Sequence, residues 1–225
     1  MYLDLMSKNG IKVAQNLVKD EHYLHAPVDV RGSVEGYWIG LDCHPALGLF
    51  LLGRPQATKV AGWYGGVQDV KAGRCECTRW QVLNLARVWI SPVFQPGGVG
   101  YRADWLPGFM DRKGEFRSTL ASSAISAMAA RVGFDYLMRR PPCFLDEPYQ
   151  IDWLLSYCDT RLHKGTIYQA AGFELYRTND DGIQTWRLRL PPLTVVQHAE
   201  VREAARVNPR SHAYRAKRAQ MCFEV

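Results

Sequence analysis

The stretch WQVLNLARVWI, residues 80–90, is apolar on both faces through its centre. That is the pattern of a strand buried in the middle of a sheet and covered on both sides. Its one charge is Arg87. An interior guanidinium is costly unless it meets an anion, so Arg87 has to find a carboxylate or a ligand. IDWLLSYC, residues 151–158, reads as a second buried strand.

Outward from these two strands the punctuation is clear. Upstream, Ile11 to Tyr23 places Val13, Leu17, Val18 and His22 at spacings near 3.6, predicting an amphipathic helix that Pro27 stops. Glu35–Ile39 and Ala46–Leu52 are apolar and aromatic strands, with a turn at Gly53-Arg54-Pro55. Between Ser91 and Arg112, PVFQPGGVGYRADWLPGFMDR is too rich in Gly and Pro for regular structure, and loops of this length often form lids or binding loops. Phe116 to Val132 is expected to be a helix, with Leu120, Ala124, Met128 and Val132 on one face and Ser118 and Thr119 at its start. Those two hydroxyls suit helix capping and phosphate binding equally well. After the second buried strand come a DTRLHKG loop, a short TIYQAA helix stopped by Gly172, and two strands, FELYRT and IQTWRLRL, joined at Asn179-Asp180-Asp181-Gly182. The expected architecture is mixed α/β (α+β): one domain over 1–192, closed by Pro191-Pro192, and a basic C-terminal extension over 193–225.

Composition narrows the function classes. With 47% apolar and 22% charged residues in 225, the chain can build a real core, which excludes disordered and fibrous architectures. No run approaches the roughly 18 to 20 apolar residues of a membrane span, and MYLDLMSKNGIK lacks the basic flank and apolar stretch of a secretory signal. A cytoplasmic protein with no membrane partner is the expectation. Cysteines at 43, 75, 77, 143, 158 and 222 show no repeated CxxC, so reduced thiols are expected, Cys75-Glu76-Cys77 included. Lys+Arg 28 against Asp+Glu 22 gives a formal net charge of +6. From Arg202 onward the chain carries Arg206, Arg210, Arg215, Lys217 and Arg218 against Glu203 and Glu224. Such a tail means a polyanion partner or a solvated face.

Arg87 within LARVWI, a helix opening at Arg117-Ser118-Thr119, a strand ending Ser156-Tyr157-Cys158-Asp159, and GTIYQAAGF at 165–173 follow in an order that resembles the Gcn5-related acyl-CoA-dependent N-acetyltransferases. The resemblance implies a mixed sheet flanked by helices, in which a buried fourth strand splays from the fifth. Acetyl-CoA or a related acyl donor would enter that gap, with Arg87, Arg117, Ser118 and Thr119 as donor-binding residues. Tyr168 would be the general acid to the departing thiolate; a ring packed into the core is its plainer role. The Arg/Gln-x-x-Gly-x-Gly/Ala phosphate loop of that class is absent, since Gly97-Gly98-Val99-Gly100 lies too far before the helix.

Within that class, His22-Tyr23-Leu24-His25, Leu85-Ala86-Arg87-Val88-Trp89, Ser156-Tyr157-Cys158-Asp159 and HKGTIYQA at 163–170 look like the Mom family of phage DNA modification enzymes, from about Val13 to Trp186. The last block is the most specific. This resemblance implies conversion of adenine in double-stranded DNA to N6-methylcarbamoyladenine, which shields DNA from host restriction. It also implies a centre made by His22, Tyr23 and Asp159, with iron as a suggested metal. Imidazole, phenol and carboxylate are ligands that suit iron and also suit an acid/base relay without it. A helix-end His bonded to a carbonyl and an Asp capping the next turn are the structural alternatives. Adenine N6 in a paired stack is reached only after base extrusion. The long loop, with Phe94, Tyr101, Arg102 and Trp105, and the tail, with Arg210, Arg215, Lys217 and Arg218, are the expected DNA contacts. Trp63, Tyr64 and Trp89 are candidates for base stacking or for the core. Two other classes stay open: an acyl-CoA-dependent N-acetyltransferase acting on a small amine or protein, and a non-catalytic basic DNA-binding protein. A homodimer is compatible with each.

Overall fold

Both buried strands form, and they lie side by side. The computed structural model describes residues 1–21, 35–41, 44–55, 57–101, 104–140 and 150–207. In chain order the elements are β1 (Tyr2–Leu5), α1 (Lys8–Glu21), β2 (Glu35–Leu41), β3 (His44–Gly53), β4 (Tyr64–Gly65), α2 (Val67–Lys71), β5 (Cys77–Thr78) and β6 (Val82–Ile90). They continue with β7 (Gly108–Met110), β8 (Phe116–Ser118), α3 (Leu120–Ala129), α4 (Val132–Arg139), β9 (Trp153–Asp159), α5 (Thr166–Ala170), β10 (Glu174–Thr178), β11 (Ile183–Arg189) and α6 (Val195–Val207). The chain divides into two compact units, Met1–Met128 with Trp153–Arg189, and Ala129–Asp152 with Leu190–Val225.

The first unit is built on a seven-stranded sheet in the order β1-β2-β3-β6-β9-β11-β10. Its pairs are antiparallel except β6 with β9, which run parallel. That parallel ladder is short: Val82 faces Trp153, Leu83 faces Leu154, Asn84 faces Leu155, and there it stops. Beyond it β6 stays with β3 as far as Ile90, and β9 stays with β11 as far as Asp159, so the two strands part. The cause is local. Leu51 faces Arg87 while Leu52 faces Leu85, which leaves Ala86 as an extra residue in β6, and a bulge of this kind bends its strand. Ser156 Oγ donates to Leu85 O at 3.0 Å, a last tie at the point of separation.

Apolar clusters hold this sheet, and two of them lie wholly among the described residues. Ala14 and Val18 of α1 pack on Met6, Leu49, Leu51 and Trp89. The buried face of α1 therefore runs through 14 and 18, and Val13, expected on it, is exposed. The second cluster joins Val82, Trp153 and Leu155 of the sheet to Val60, Trp63, Tyr64 and Cys77 of the segment between β3 and β6. Trp63, Tyr64 and Trp89 are thus core residues. Cys75, Cys77 and Cys158 are free thiols.

The expected helix over Phe116–Val132 divides differently. Its first residues form β8, the return strand of a hairpin with β7. Asp111 closes that hairpin: its Oδ1 accepts the N–H groups of Lys113 and Glu115, both at 2.9 Å, and Gly114 takes φ +75. The helix begins at Leu120, stops at Ala129, and a new one starts at Val132.

In the second unit α4 buries Val132, Tyr136 and Leu137, and α6 buries Val201 and Ala205. Thr194 and Gln197 form a reciprocal cap at the start of α6, Gln197 N–H donating to Thr194 Oγ1 and Thr194 N–H to Gln197 Oε1. No helix among the described residues is long and apolar enough to cross a membrane.

Candidate active site

The parting of β6 and β9 opens a cleft of about 1010 Å³ within the first unit. One wall is β6 from Asn84 to Ile90; the other is Tyr157 and Cys158 of β9 with the turn and helix from His163 to Tyr168. Ser118, Leu120 and Ala121 bring the opening of α3 to its edge.

That opening has the properties of an anion site. Ser118 Oγ accepts the Leu120 N–H at 3.2 Å, and Thr119 O accepts the Ser123 N–H at 2.8 Å. The N–H groups of Ala121 and Ser122 therefore have no acceptor within the helix, and the helix dipole adds positive potential to them. Arg54, Arg87 and Lys164 add charge to the lining. Among the described residues that line the cleft there is no Asp or Glu.

The HKGTIYQA block is held against the sheet by Gly165, which begins α5 with φ +69. A Cβ there would stand 2.6 Å from the Trp186 ring, so the position needs glycine both for its backbone conformation and for space. Tyr168 lines the cleft with its ring stacked on Trp186, centroids 6.1 Å apart, and edge-on to Phe173 at 5.5 Å. The ring thus packs on Trp186 and Phe173 and lines the cleft at once. Arg87 is partly exposed in the lining and donates from Nη1 to Ala86 O at 2.7 Å. Tyr101 also lines the cleft, its hydroxyl donating to Phe116 O at 3.1 Å.

Other expected site residues stand elsewhere. Arg117 is on β8, paired with Asp111 at 2.9 Å and Glu115 at 2.5 Å, and is not among the lining residues. Thr119 is not among them either; its N–H donates to Pro107 O. Asp159 ends β9 outside the lining. Its carboxylate takes Arg161 Nε at 2.9 Å and Nη2 at 2.6 Å, and accepts the Arg161 N–H at 3.0 Å. The guanidinium holds its pKa down at about 2. Asp159 O also accepts the Leu162 and His163 N–H groups, so this residue shapes the turn that leads into the cleft wall. His22, Tyr23, Arg102, Arg210, Arg215, Lys217 and Arg218 lie outside the described residues. Among the described residues no group of three His, Cys, Asp or Glu could hold a metal ion. The Asp159 carboxylate is committed to the Arg161 guanidinium and is not presented as a ligand for iron.

Two further cleft residues carry only a weak signal in the sequence. Asn84, 9% exposed, has no hydrogen-bond partner for Oδ1 among the described residues. Its signal is a polar residue inside an apolar run, VLNL, but the meaning of that residue depends on where the parallel ladder ends. Tyr157 faces the buried Tyr64, and burial raises both phenols above their ordinary range.

The chain has a mixed sheet with one parallel pair, its fourth strand splaying from the fifth, and a helix opening at the gap, the arrangement that the resemblance to the Gcn5-related N-acetyltransferases implies. No protein-family model matches the sequence, and no curated protein does. Similar solved structures include the spermidine/spermine N-acetyltransferase SpeG from Vibrio cholerae, at 9% identity, with 84% of this chain and 93% of that one covered and a TM-score of 0.42. Tetrahymena GCN5 is 13% identical over 86% of this chain and 99% of that one, with a TM-score of 0.41. A GNAT-family acetyltransferase from Listeria monocytogenes is 11% identical over 84% and 94%, with a TM-score of 0.39.

Proposed function

We propose that the chain is an acyl-CoA-dependent N-acyltransferase and that its acceptor is the exocyclic amine of adenine in DNA. The acyl-transfer reading rests on one observation above all, the β6–β9 cleft with an α3 N-terminus at its edge. A long thioester with a polyphosphate end matches that donor set. The first-turn N–H groups of α3 and the cations Arg87 and Lys164 suit phosphate, and the backbone edge that β6 turns to the gap suits an extended amide chain. In the transfer, the amine nitrogen attacks the thioester carbonyl, a C–N bond forms, the C–S bond breaks, and one proton passes in net from nitrogen to sulfur. Tyr168 is the group proposed to protonate the departing thiolate and to recover a proton from the nitrogen. Tyr168→Phe is expected to lower kcat by about 10²-fold or more while leaving the affinity for acetyl-CoA unchanged. Steady-state rates with calorimetric binding check this, and an unchanged kcat removes Tyr168 from the chemistry.

The acceptor is proposed on the resemblance to the Mom family. In its favour, the most specific block of that resemblance is a wall of the cleft, from His163 to Tyr168 beside Tyr157 and Cys158. The net charge of +6 agrees with a polyanionic substrate. Mass spectrometry of nucleosides from cells expressing the chain tests it. A new deoxyadenosine of acetyl or methylcarbamoyl mass, lost in Tyr168→Phe, supports DNA as acceptor and identifies the group transferred. Unmodified DNA beside newly acetylated polyamines or protein amines assigns the activity to a small amine or protein.

A further inference from the structure

We infer that Tyr157 is a second catalytic phenol of the cleft, donating a hydrogen bond to the thioester carbonyl oxygen as that oxygen gains negative charge. This rests on the acyl-transfer reading above and holds whichever amine is the acceptor.

Tyr157 is the first residue of β9 beyond the tie from Ser156 Oγ to Leu85 O, so it stands where the two strands begin to part. It lines the cleft and is 39% exposed. Side chains alternate along a strand, so Tyr157 lies on the face that carries Trp153 and Leu155, which pack with Trp63 and Tyr64. Ser156 and its register partner Trp186 lie on the other face, and there Tyr168 stacks on Trp186. The two phenols therefore reach the gap from opposite faces of the sheet. A thioester in that gap presents a sulfur and a carbonyl oxygen. Tyr168, from one face, is the group proposed for the sulfur, which leaves the oxygen to Tyr157.

The residue behind Tyr157 sets the direction of its hydrogen bond. Tyr64 is fully buried, its hydroxyl faces that of Tyr157, and it has no hydrogen bond of good geometry among the described residues. A buried O–H is costly to leave without an acceptor, so its proton turns to the Tyr157 oxygen. The O–H of Tyr157 is then directed into the cleft. Burial raises both phenols above their ordinary range, so Tyr157 is protonated near neutral pH and acts as a donor, not as a base. A donor bonded to the attacking nitrogen would occupy the lone pair that must form the C–N bond, so the carbonyl oxygen is the productive target. When the nitrogen adds, the C=O π pair moves onto that oxygen and the Tyr157 O–H bonds to it. When the C–S bond breaks the pair returns, and Tyr157 retains its proton throughout. A hydroxyl that itself accepts a hydrogen bond is a stronger donor, which makes Tyr64 a positioning residue.

The test uses the full chain and acetyl-CoA isotopically labelled at the acetyl carbonyl, whose stretch is read by isotope-edited infrared difference spectroscopy; no acceptor is needed. Binding to wild type is expected to move the stretch to lower wavenumber. Tyr157→Phe, which keeps the ring, is expected to bind acetyl-CoA with unchanged affinity by calorimetry and to return the stretch most of the way to its free value. Tyr168→Phe is expected to keep the wild-type shift, and Tyr64→Phe to keep part of it. In turnover with the acceptor that wild type is found to acylate, Tyr157→Phe is expected to lower kcat by about 10²-fold or more with the acceptor KM unchanged. A stretch that does not move on binding to wild type, a shift that survives in Tyr157→Phe, or one lost equally in Tyr168→Phe overturns the inference, while acetyl-CoA binding leaves the donor site standing. Failure of wild type to bind acetyl-CoA overturns the acyl-transfer reading itself, and this inference with it.

Discussion

Asp69 shows how much local order one carboxylate can organise. It accepts from Lys59 Nζ at 2.7 Å, from Arg74 Nε at 3.0 Å and from the Gly66 N–H at 3.2 Å, joining three points of the segment between β3 and β6. The bonds from Lys59 and Arg74 lower its pKa from 3.8 to about 2. A carboxyl depressed on folding stabilises the folded state at pH values above its unfolded pKa and loses that contribution as pH falls through the folded value. The loss therefore falls between about pH 4 and pH 2. In that window, protection from hydrogen exchange, taken relative to the intrinsic rate at each pH, at the Val60 and Val70 amides, which bond to Tyr64 O and Gly66 O, is expected to fall more steeply with acid in wild type than in Asp69→Asn. Equal slopes would show that the ion pairs carry no net stabilisation, as exposed pairs often do. None of this is legible in the sequence. The partners lie ten and five residues away in a stretch with neither helical nor strand periodicity, and only the folded chain brings them to one carboxylate. Arg87 is legible as a residue with a special position, but its outcome is not: the bulge at Ala86 leaves it partly exposed along the cleft.

Elements with a strong pattern of their own are readable, and those fixed by contacts distant in sequence are not. β6, β9 and the β10–β11 hairpin follow from apolar runs and from a turn in which Asn179 Oδ1 accepts the Ile183 N–H at 2.7 Å and Gly182 takes φ +77. β8 is hidden because Phe116-Arg117-Ser118 fits a helix start as well as a strand, and the Asp111 turn that decides between them is a side-chain arrangement. The break between α3 and α4, at Ala130-Arg131, has neither Gly nor Pro to mark it. The segment carrying β4, α2 and β5 is tied to the sheet by Arg187, and this too is a tertiary fact. The Arg187 guanidinium lies 4.8 Å from the Trp153 ring, 4.7 Å from Tyr176 and 5.6 Å from Trp63, and pairs with Glu76 at 3.3 Å and with Glu174. A planar guanidinium can stack and bond in its plane at once, which an ammonium cannot. Arg187→Lys is therefore expected to destabilise the protein by about 2 kcal/mol, the scale of a desolvated cation–π contact, and to expose residues 54–81 to limited proteolysis first. An unchanged Tm and cleavage pattern would show that Lys replaces every useful contact.

At the scale of the whole chain, the charge and the C-terminal segment set the terms for any polyanion. A truncation after Pro192 cannot test the basic tail, because α6 buries Val201 and Ala205 in the second unit and its loss would damage packing along with charge. Ending the chain at Val207 keeps α6 and its Thr194 cap while removing Arg210, Arg215, Lys217 and Arg218 with Glu224. Each lysine or arginine that displaces a counterion from duplex DNA contributes roughly 0.9 to the slope of log K against log salt. If the tail grips DNA, the truncated chain binds more weakly at low salt and its slope falls by roughly 0.9 for each phosphate that the tail had neutralised, while acetyl-CoA affinity is unchanged. Binding measured by fluorescence anisotropy between about 50 and 200 mM salt resolves a change of that size. An identical slope would leave the cations of the first unit, Arg54, Arg87 and Lys164 along the cleft among them, as the phosphate-binding groups to test, and would assign the tail no part in DNA binding.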